Sequence, residues 1–230
     1  KLAALKDAIG GRPVIAATST HPGEETVLID VHRRLRHTFP GLLTVLVPRH
    51  PERGPGVAEI ARVGGINFAL RSRGELPDAA TEIYVADTVG ELGLIYRIAP
   101  IVFIGGSLIR HGGQNPIEAV KLGVAILHGP HTWNFTEIYS ALDAAGGAEL
   151  ATDTGKLAVR IGAWLKDDEA RKKVAETGLK AMDTLVGALD RTVAALDPYL
   201  MQFRLERRGG QQGQQGQGGQ EGQRGQEDNA

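Results

Sequence analysis

Short runs of apolar residues recur along the chain. Each is closed by glycine, proline or polar residues and followed by a stretch with helical spacing. The runs at 13–20, 42–47, 67–71, 82–86, 101–105, 124–127 and 149–151 predict strands. Segment 21–39 predicts a loop and then a helix, from the spacing of Val27, Val31 and Leu35. Helices are also predicted over 57–63, 91–98, 115–122, 135–145, 156–166 and 168–196. Strands that are apolar throughout, alternating with helices, predict an α/β fold: a Rossmann-like parallel sheet with helices on both faces. Ligands in such sheets bind outside the carboxyl ends of the strands. The polar-rich segments lie at those ends: 19–25, 48–53, 87–91, 105–118 and 129–134.

Composition narrows the field. From about Arg207 the chain is almost wholly Gly, Gln, Glu and Arg, which cannot bury apolar surface, so 207–230 is expected to be a disordered tail. Residues 1–206 are then one domain. The net charge of −1 gives no basic field for nucleic acid. The absence of cysteine removes disulfides and thiolate metal sites. The seven histidines include no His-x-x-x-His pair, so neither a metal nor another cofactor is expected. No Gly-x-Ser-x-Gly elbow offers an acyl-transfer nucleophile. No apolar run approaches the roughly 20 residues of a membrane-spanning helix, and no secretory signal is visible. The chain opens at Lys1 with no Met, directly into helix-like sequence, and reads as a fragment of a longer protein.

The glycine loop from Gly105 to Glu118 carries the most chemistry. Gly105, Gly106 and Ser107 follow an apolar strand, and Asn115, Pro116 and Ile117 open a helix. Asn115 suits the N-cap and Pro116 the first helical position. Free N–H groups at a glycine-rich helix start favour a phosphate. Glu118, in the first turn, would oppose a phosphate, and its carboxylate suits the neighbouring hydroxyls of a ribose. The loop is neither the dinucleotide fingerprint nor a P-loop. A strand–helix turn with no ligand would look the same.

The other strand ends leave alternatives open. Pro48-Arg49-His50-Pro51-Glu52-Arg53 offers an arginine fork for phosphate, with Arg49 nearest the strand, or is a solvated basic loop. In the turn after 82–86, Asp87 or Thr88 reads as a helix cap and Gly90 lets backbone approach a flat base. Val89 is apolar, and Glu91 either meets a ligand or complements the helix dipole. Ser19, Thr20 and His21 line a cleft or simply precede a helix whose first turn carries Glu24 and Glu25. Segment 129–135 shapes the cleft floor or is a packing corner with Asn134 as N-cap.

The ordered motifs HPGEE (His21 to Glu25), PRHPER (Pro48 to Arg53), DTVGELGLIY (Asp87 to Tyr96), GGSLIRHGGQNPIEAVKLG (Gly105 to Gly123) and GPHTWNF (Gly129 to Phe135) resemble the 3-deoxy-D-manno-octulosonic acid (Kdo) transferases. The resemblance covers roughly residues 1–200. It implies the C-terminal, donor-binding domain of a two-domain GT-B enzyme, with CMP-Kdo as donor and a lipid A precursor as acceptor of the full-length enzyme. It places CMP on Pro48 and Arg49, on Val89, Gly90 and Glu91, and on Asn115, Pro116, Ile117 and Glu118. Val89 stands where such enzymes often carry Met. The family's general base is a glutamate of the N-terminal domain, so no residue here takes that role. The resemblance also implies the cytoplasmic face of a Gram-negative inner membrane, with membrane contact only through the N-terminal part and this fragment itself soluble. The rivals are another GT-B-like enzyme, such as a UDP-sugar transferase or a UDP-N-acetylglucosamine 2-epimerase, and a non-catalytic nucleotide-binding module.

Overall fold

Seven parallel strands form one sheet in the computed structural model, which describes residues 1–185 and residues 195, 196 and 199. The strands are β1 (Val14–Thr20), β2 (Leu43–Pro48), β3 (Phe68–Leu70), β4 (Ile83–Val85), β5 (Ile101–Ile104), β6 (Ala125–His128) and β7 (Ala148–Leu150). The helices are α1 (Leu2–Ile9), α2 (Glu24–Leu35), α3 (Gly54–Val63), α4 (Leu92–Tyr96), α5 (Ile117–Lys121), α6 (Thr136–Ala145) and α7 (Thr154–Lys166). Residues 168–185 are helical as well.

Every residue of β2, β4, β5 and β6 is buried, which is why these strands read as unbroken apolar runs. Their backbone groups have no water to bond and are satisfied by the parallel ladder instead. Helices α2 and α7 pack together over the sheet, and Leu28, Ile29, Leu46, Phe103, Ile161 and Trp164 belong to one core. Burying each such side chain stabilises the fold by about 1.5–3 kcal/mol. Asp153 starts α7 by accepting a hydrogen bond from the Lys156 backbone N–H.

The strand order is β3-β4-β2-β1-β5-β6-β7. The chain passes from β1 to β2, crosses to the edge strand β3, comes back to β4 between β3 and β2, and then returns to β5 on the other side of β1. Loops leaving β1 and β5 therefore diverge, and a crevice opens between them at the carboxyl edge. This is the expected Rossmann-like sheet.

Most boundaries differ from expectation by one or two residues. Helix α4 is shorter than 91–98, α5 is shorter than 115–122, and α3 begins at Gly54 rather than Val57. Helix α4 starts after Glu91 without a side-chain cap, so Asp87 and Thr88 do not cap it. Asp87 instead holds Ser72, through the backbone N–H at 2.9 Å and the hydroxyl at 2.7 Å. Most of the predicted helix beyond 185, and the tail at 207–230, lie outside the described residues.

Candidate functional site

A cavity of about 340 Å³ lies at the carboxyl edge, next to the reversal in strand order. Its walls come from four strand ends. Ser19 closes β1, Pro48 and Arg49 close β2, and Val89 and Gly90 lie in the turn after β4. Gln114, Asn115 and Glu118 belong to the loop and helix after β5. Tyr96 of α4 is buried against it, its hydroxyl 3.4 Å from that of Thr18. Burial, with a lesser push from the Glu118 carboxylate, raises the Tyr96 phenol above its usual range, so it stays neutral.

Two walls carry opposite charges with no partner. Among the described residues, nothing hydrogen-bonds or ion-pairs with the guanidinium of Arg49 or with the carboxylate of Glu118. The neighbouring arginines differ: Arg53 pairs with Glu25 at 2.7 Å, and Arg71 pairs with Glu91. Val89 is 83% exposed, an apolar side chain at the cavity with no core to join. Gly90, at φ 77°, makes a left-handed turn that a side chain would strain. Ser19 is the one non-glycine residue with positive φ among the described residues, at 55°. The β1–β2 register slips between Thr18 and Thr20, so Ser19 is a bulge residue turned into the cavity wall.

The glycine loop is anchored by a residue read from the sequence only as a helix-start acid. Glu24 is fully buried. Its carboxylate accepts backbone hydrogen bonds from Gly106 (2.7 Å), Ser107 (3.1 Å), Leu108 (3.0 Å) and His21 (2.9 Å). The N–H groups of Gly106, Ser107 and Leu108 are therefore not open to a ligand: a side chain of α2 already fills the nest they make. Gly105, Gly106 and Ser107 are buried and do not line the cavity. Gly105 has no side chain because a Cβ would lie 2.5 Å from the Ser19 carbonyl oxygen. Glu25, also fully buried, accepts from Thr20 Oγ1 at 2.8 Å as well as from Arg53.

The remaining predicted residues are placed as follows. Asn115 Oδ1 accepts from the Ile117 backbone N–H at 2.9 Å, a local turn leading into α5, and Asn115 also lines the cavity; the N-cap of α5 is Pro116, one residue later than expected. Pro116 and Ile117 do not line it. Neither does Glu91, whose carboxylate is held by Arg71, by Thr88 Oγ1 at 2.5 Å and by Lys1 at 2.9 Å. Arg71 above all, then Thr88 and Lys1, hold that carboxyl well below the usual carboxylate range. Asn134 is not a helix cap: its amide donates to the carbonyls of His111 (3.1 Å) and Gly113 (3.3 Å), bracing the glycine loop. Tyr139 Oη donates to the Gln114 carbonyl at 2.7 Å. Gln114 and Tyr96 were not singled out from the sequence. Their signal was position alone, one residue before Asn115 and at the end of the turn-and-helix motif.

His21 gathers a second group of side chains. Its ring lies 3.8 Å from that of His111 and 6.2 Å, edge-on, from that of His50. Gln114 Nε2 lies 3.1 Å from His21 Nε2. Burial first, then His111, His50 and Arg53, lower the His21 imidazole below its usual value. Among the described residues no helix is long and apolar enough to cross a membrane.

No family model matches the chain. It is 39% identical over 190 residues to the 3-deoxy-D-manno-octulosonic acid transferase of Haemophilus influenzae, covering 82% of this chain and 44% of that one. The chain thus spans less than half the length of this curated relative. The crystal structure of the C-terminal CMP-Kdo binding domain of WaaA from Acinetobacter baumannii superposes with a TM-score of 0.74 at 31% identity, over 79% of this chain and 95% of that one. UDP-GlcNAc 2-epimerase from Neisseria meningitidis gives a TM-score of 0.53 at 17% identity, over 83% and 47%, a likeness of fold alone. Matched along nearly the whole of the solved C-terminal domain, this chain belongs to the 3-deoxy-D-manno-octulosonic acid transferase family and corresponds to its C-terminal domain.

Proposed function

We propose that this domain binds CMP-Kdo in the cavity lined by Arg49 and Glu118 and presents it for transfer to a lipid A precursor in lipopolysaccharide synthesis. The observation that carries this reading is the pair of unpartnered opposite charges in one cavity. A nucleoside monophosphate needs both: a cation for its phosphate and a carboxylate for its ribose hydroxyls. The cavity volume lies near the lower end of the range for small-ligand sites, in keeping with one phosphate rather than two. Gly90 and Val89 offer a flat, apolar contact for a base.

In the reaction, an acceptor hydroxyl attacks the anomeric carbon of the donor as the bond to the phosphate oxygen breaks. Negative charge grows on the departing CMP, and Arg49 is the preorganised cation beside it. The helix α5 is only five residues long, so its dipole adds little and the guanidinium carries this role. In this reading the general base, the acceptor site and the membrane contact belong to the N-terminal domain, and the whole enzyme works at the cytoplasmic face of the inner membrane.

Calorimetric titration of the chain with CMP, UDP, cytidine and phosphate tests the reading. CMP is expected to bind more tightly than each of the others, without Kdo transfer by the domain alone. Equal affinity for UDP, or no binding of CMP, would sink it.

A further inference from the structure

We propose that His21, His50 and His111 form a subsite beside the nucleotide cavity that receives the carboxylate carried on the anomeric carbon of the donor sugar. The inference rests on the CMP-Kdo reading and deepens it. It makes these histidines the feature that distinguishes a ulosonic acid from an ordinary aldose.

The placement follows from the topology. His21 follows β1, His50 follows β2 and His111 lies in the loop after β5, so three strand ends bring one imidazole each to the crevice. Gln114 joins this group to the cavity, lining the one and meeting His21 Nε2 at 3.1 Å in the other. Ser19, Arg49 and Pro51, all cavity walls, are chain neighbours of His21 and His50. In a CMP-linked ulosonic acid the phosphate ester and the carboxylate are attached to the same carbon. A carboxylate subsite must therefore adjoin the phosphate subsite, and these histidines adjoin Arg49.

The local charges suit an anion. Arg53 faces His21 along with the two other imidazoles. The nearby carboxylates are mostly committed: Glu24 to four backbone N–H groups, and Glu25 to Arg53 and Thr20. Glu52 stands 3.8 Å from His50 and is exposed. With the Gln114 amide nitrogen facing Nε2, the donor proton of a neutral His21 ring lies on Nδ1. The rings of His21 and His111 meet at 3.8 Å, tilted by 35°, and among the described residues no three His, Asp or Glu side chains are set to hold a metal ion.

The test uses the chain saturated with CMP. Kdo and its methyl ester, which has no carboxylate charge, are titrated in separately and followed by NMR on the imidazole Cε1–H resonances. The acid is expected to bind about tenfold or more tighter than the ester, the factor one charge-assisted hydrogen bond supplies. It should also shift the His50 and His111 resonances. His50 and His111 are exposed, so the double variant His50→Gln/His111→Gln keeps the fold. It should bring the acid down to the affinity of the ester and leave CMP within about twofold. Acid and ester binding alike, or no binding of Kdo to the CMP-loaded chain, would overturn the subsite and leave the nucleotide reading standing. A double variant that loses CMP as strongly as Kdo would show the histidines reading phosphate, and overturn it too. Failure of the wild-type chain to bind CMP would remove both readings.

Discussion

Glu24 Oε2 accepts a hydrogen bond from the Gly106 backbone N–H at 2.7 Å, joining residues 82 apart in the chain. With Ser107, Leu108 and His21 also donating, a buried carboxylate locks the loop after β1 to the loop after β5. The end of β1 and the loop after β5 supply Ser19, Gln114 and Asn115 to the cavity. The anion is part of the scaffold, and the cavity proposed to take a mobile anion lies next to it.

Glu24→Gln should therefore destabilise the fold by about 3 kcal/mol, because an amide NH₂ would face backbone N–H donors and the charge would be lost. Urea denaturation measures this. CMP affinity should fall as well, since two cavity walls lose their common anchor. Unchanged stability would mean that the four bonds to Glu24 do not hold the loops.

Arg49 and Glu118 should separate the two ends of the nucleotide. Arg49→Ala is expected to weaken CMP by about 1–3 kcal/mol and to leave cytidine almost unaffected, since cytidine has no phosphate. Glu118→Gln should weaken both by a similar factor, since they share the ribose. Titration of both ligands into both variants gives the four affinities needed. If Arg49→Ala costs cytidine as much as CMP, the phosphate lies elsewhere.

Glu91 should act on stability more than on CMP. Its carboxyl is held below the usual range, chiefly by Arg71, so its stabilising effect is complete above the unfolded value of about 4.3 and is lost as pH falls through the folded value. Glu91→Gln should therefore lie furthest below wild type near neutral pH, by about 1–3 kcal/mol, and converge with it in acid. Melting curves across that range test the sign. A variant of unchanged stability that no longer binds CMP would restore Glu91 as a ligand residue.

His32 should give the fold a second pH dependence. Its ring is fully buried, with Nδ1 2.9 Å from Thr44 Oγ1, while Nε2 lies 3.5 Å from Glu82 and makes no hydrogen bond. Burial lowers the imidazole more than Glu82 raises it. The folded state then favours neutral His32: its contribution is complete above the unfolded value of about 6.5 and is lost as pH falls through the lowered folded value. The melting temperature should drop between about pH 7.5 and about pH 5.5, and drop less in His32→Asn. The remainder in the variant reports His21, which is lowered in the same direction. Identical drops in both proteins would exclude His32 as the source.

Order and chemistry along the chain were legible in advance where they depend on neighbours in sequence. Val45, Leu46, Val102 and Phe103 read as buried strands because parallel strands covered on both faces need apolar side chains at every position. Arg49, Gly90, Asn115 and Glu118 stood out because strand ends must be polar where a ligand binds and glycine-rich where the backbone turns. Glu24 and Glu91 were only partly legible, for the opposite reason. A glutamate near a helix start looks the same whether it complements a dipole, meets a ligand or is claimed by another part of the protein. Only folding brought Gly106 to Glu24 and Arg71 to Glu91, and a charge pairs with whatever lies within a few ångströms in space. The same holds for His21, His50 and His111, which lie in three separate motifs. The sequence determined which residue types the strand ends carry. The strand order, with β5 returning beside β1, decided which of them became partners and which were left free to bind.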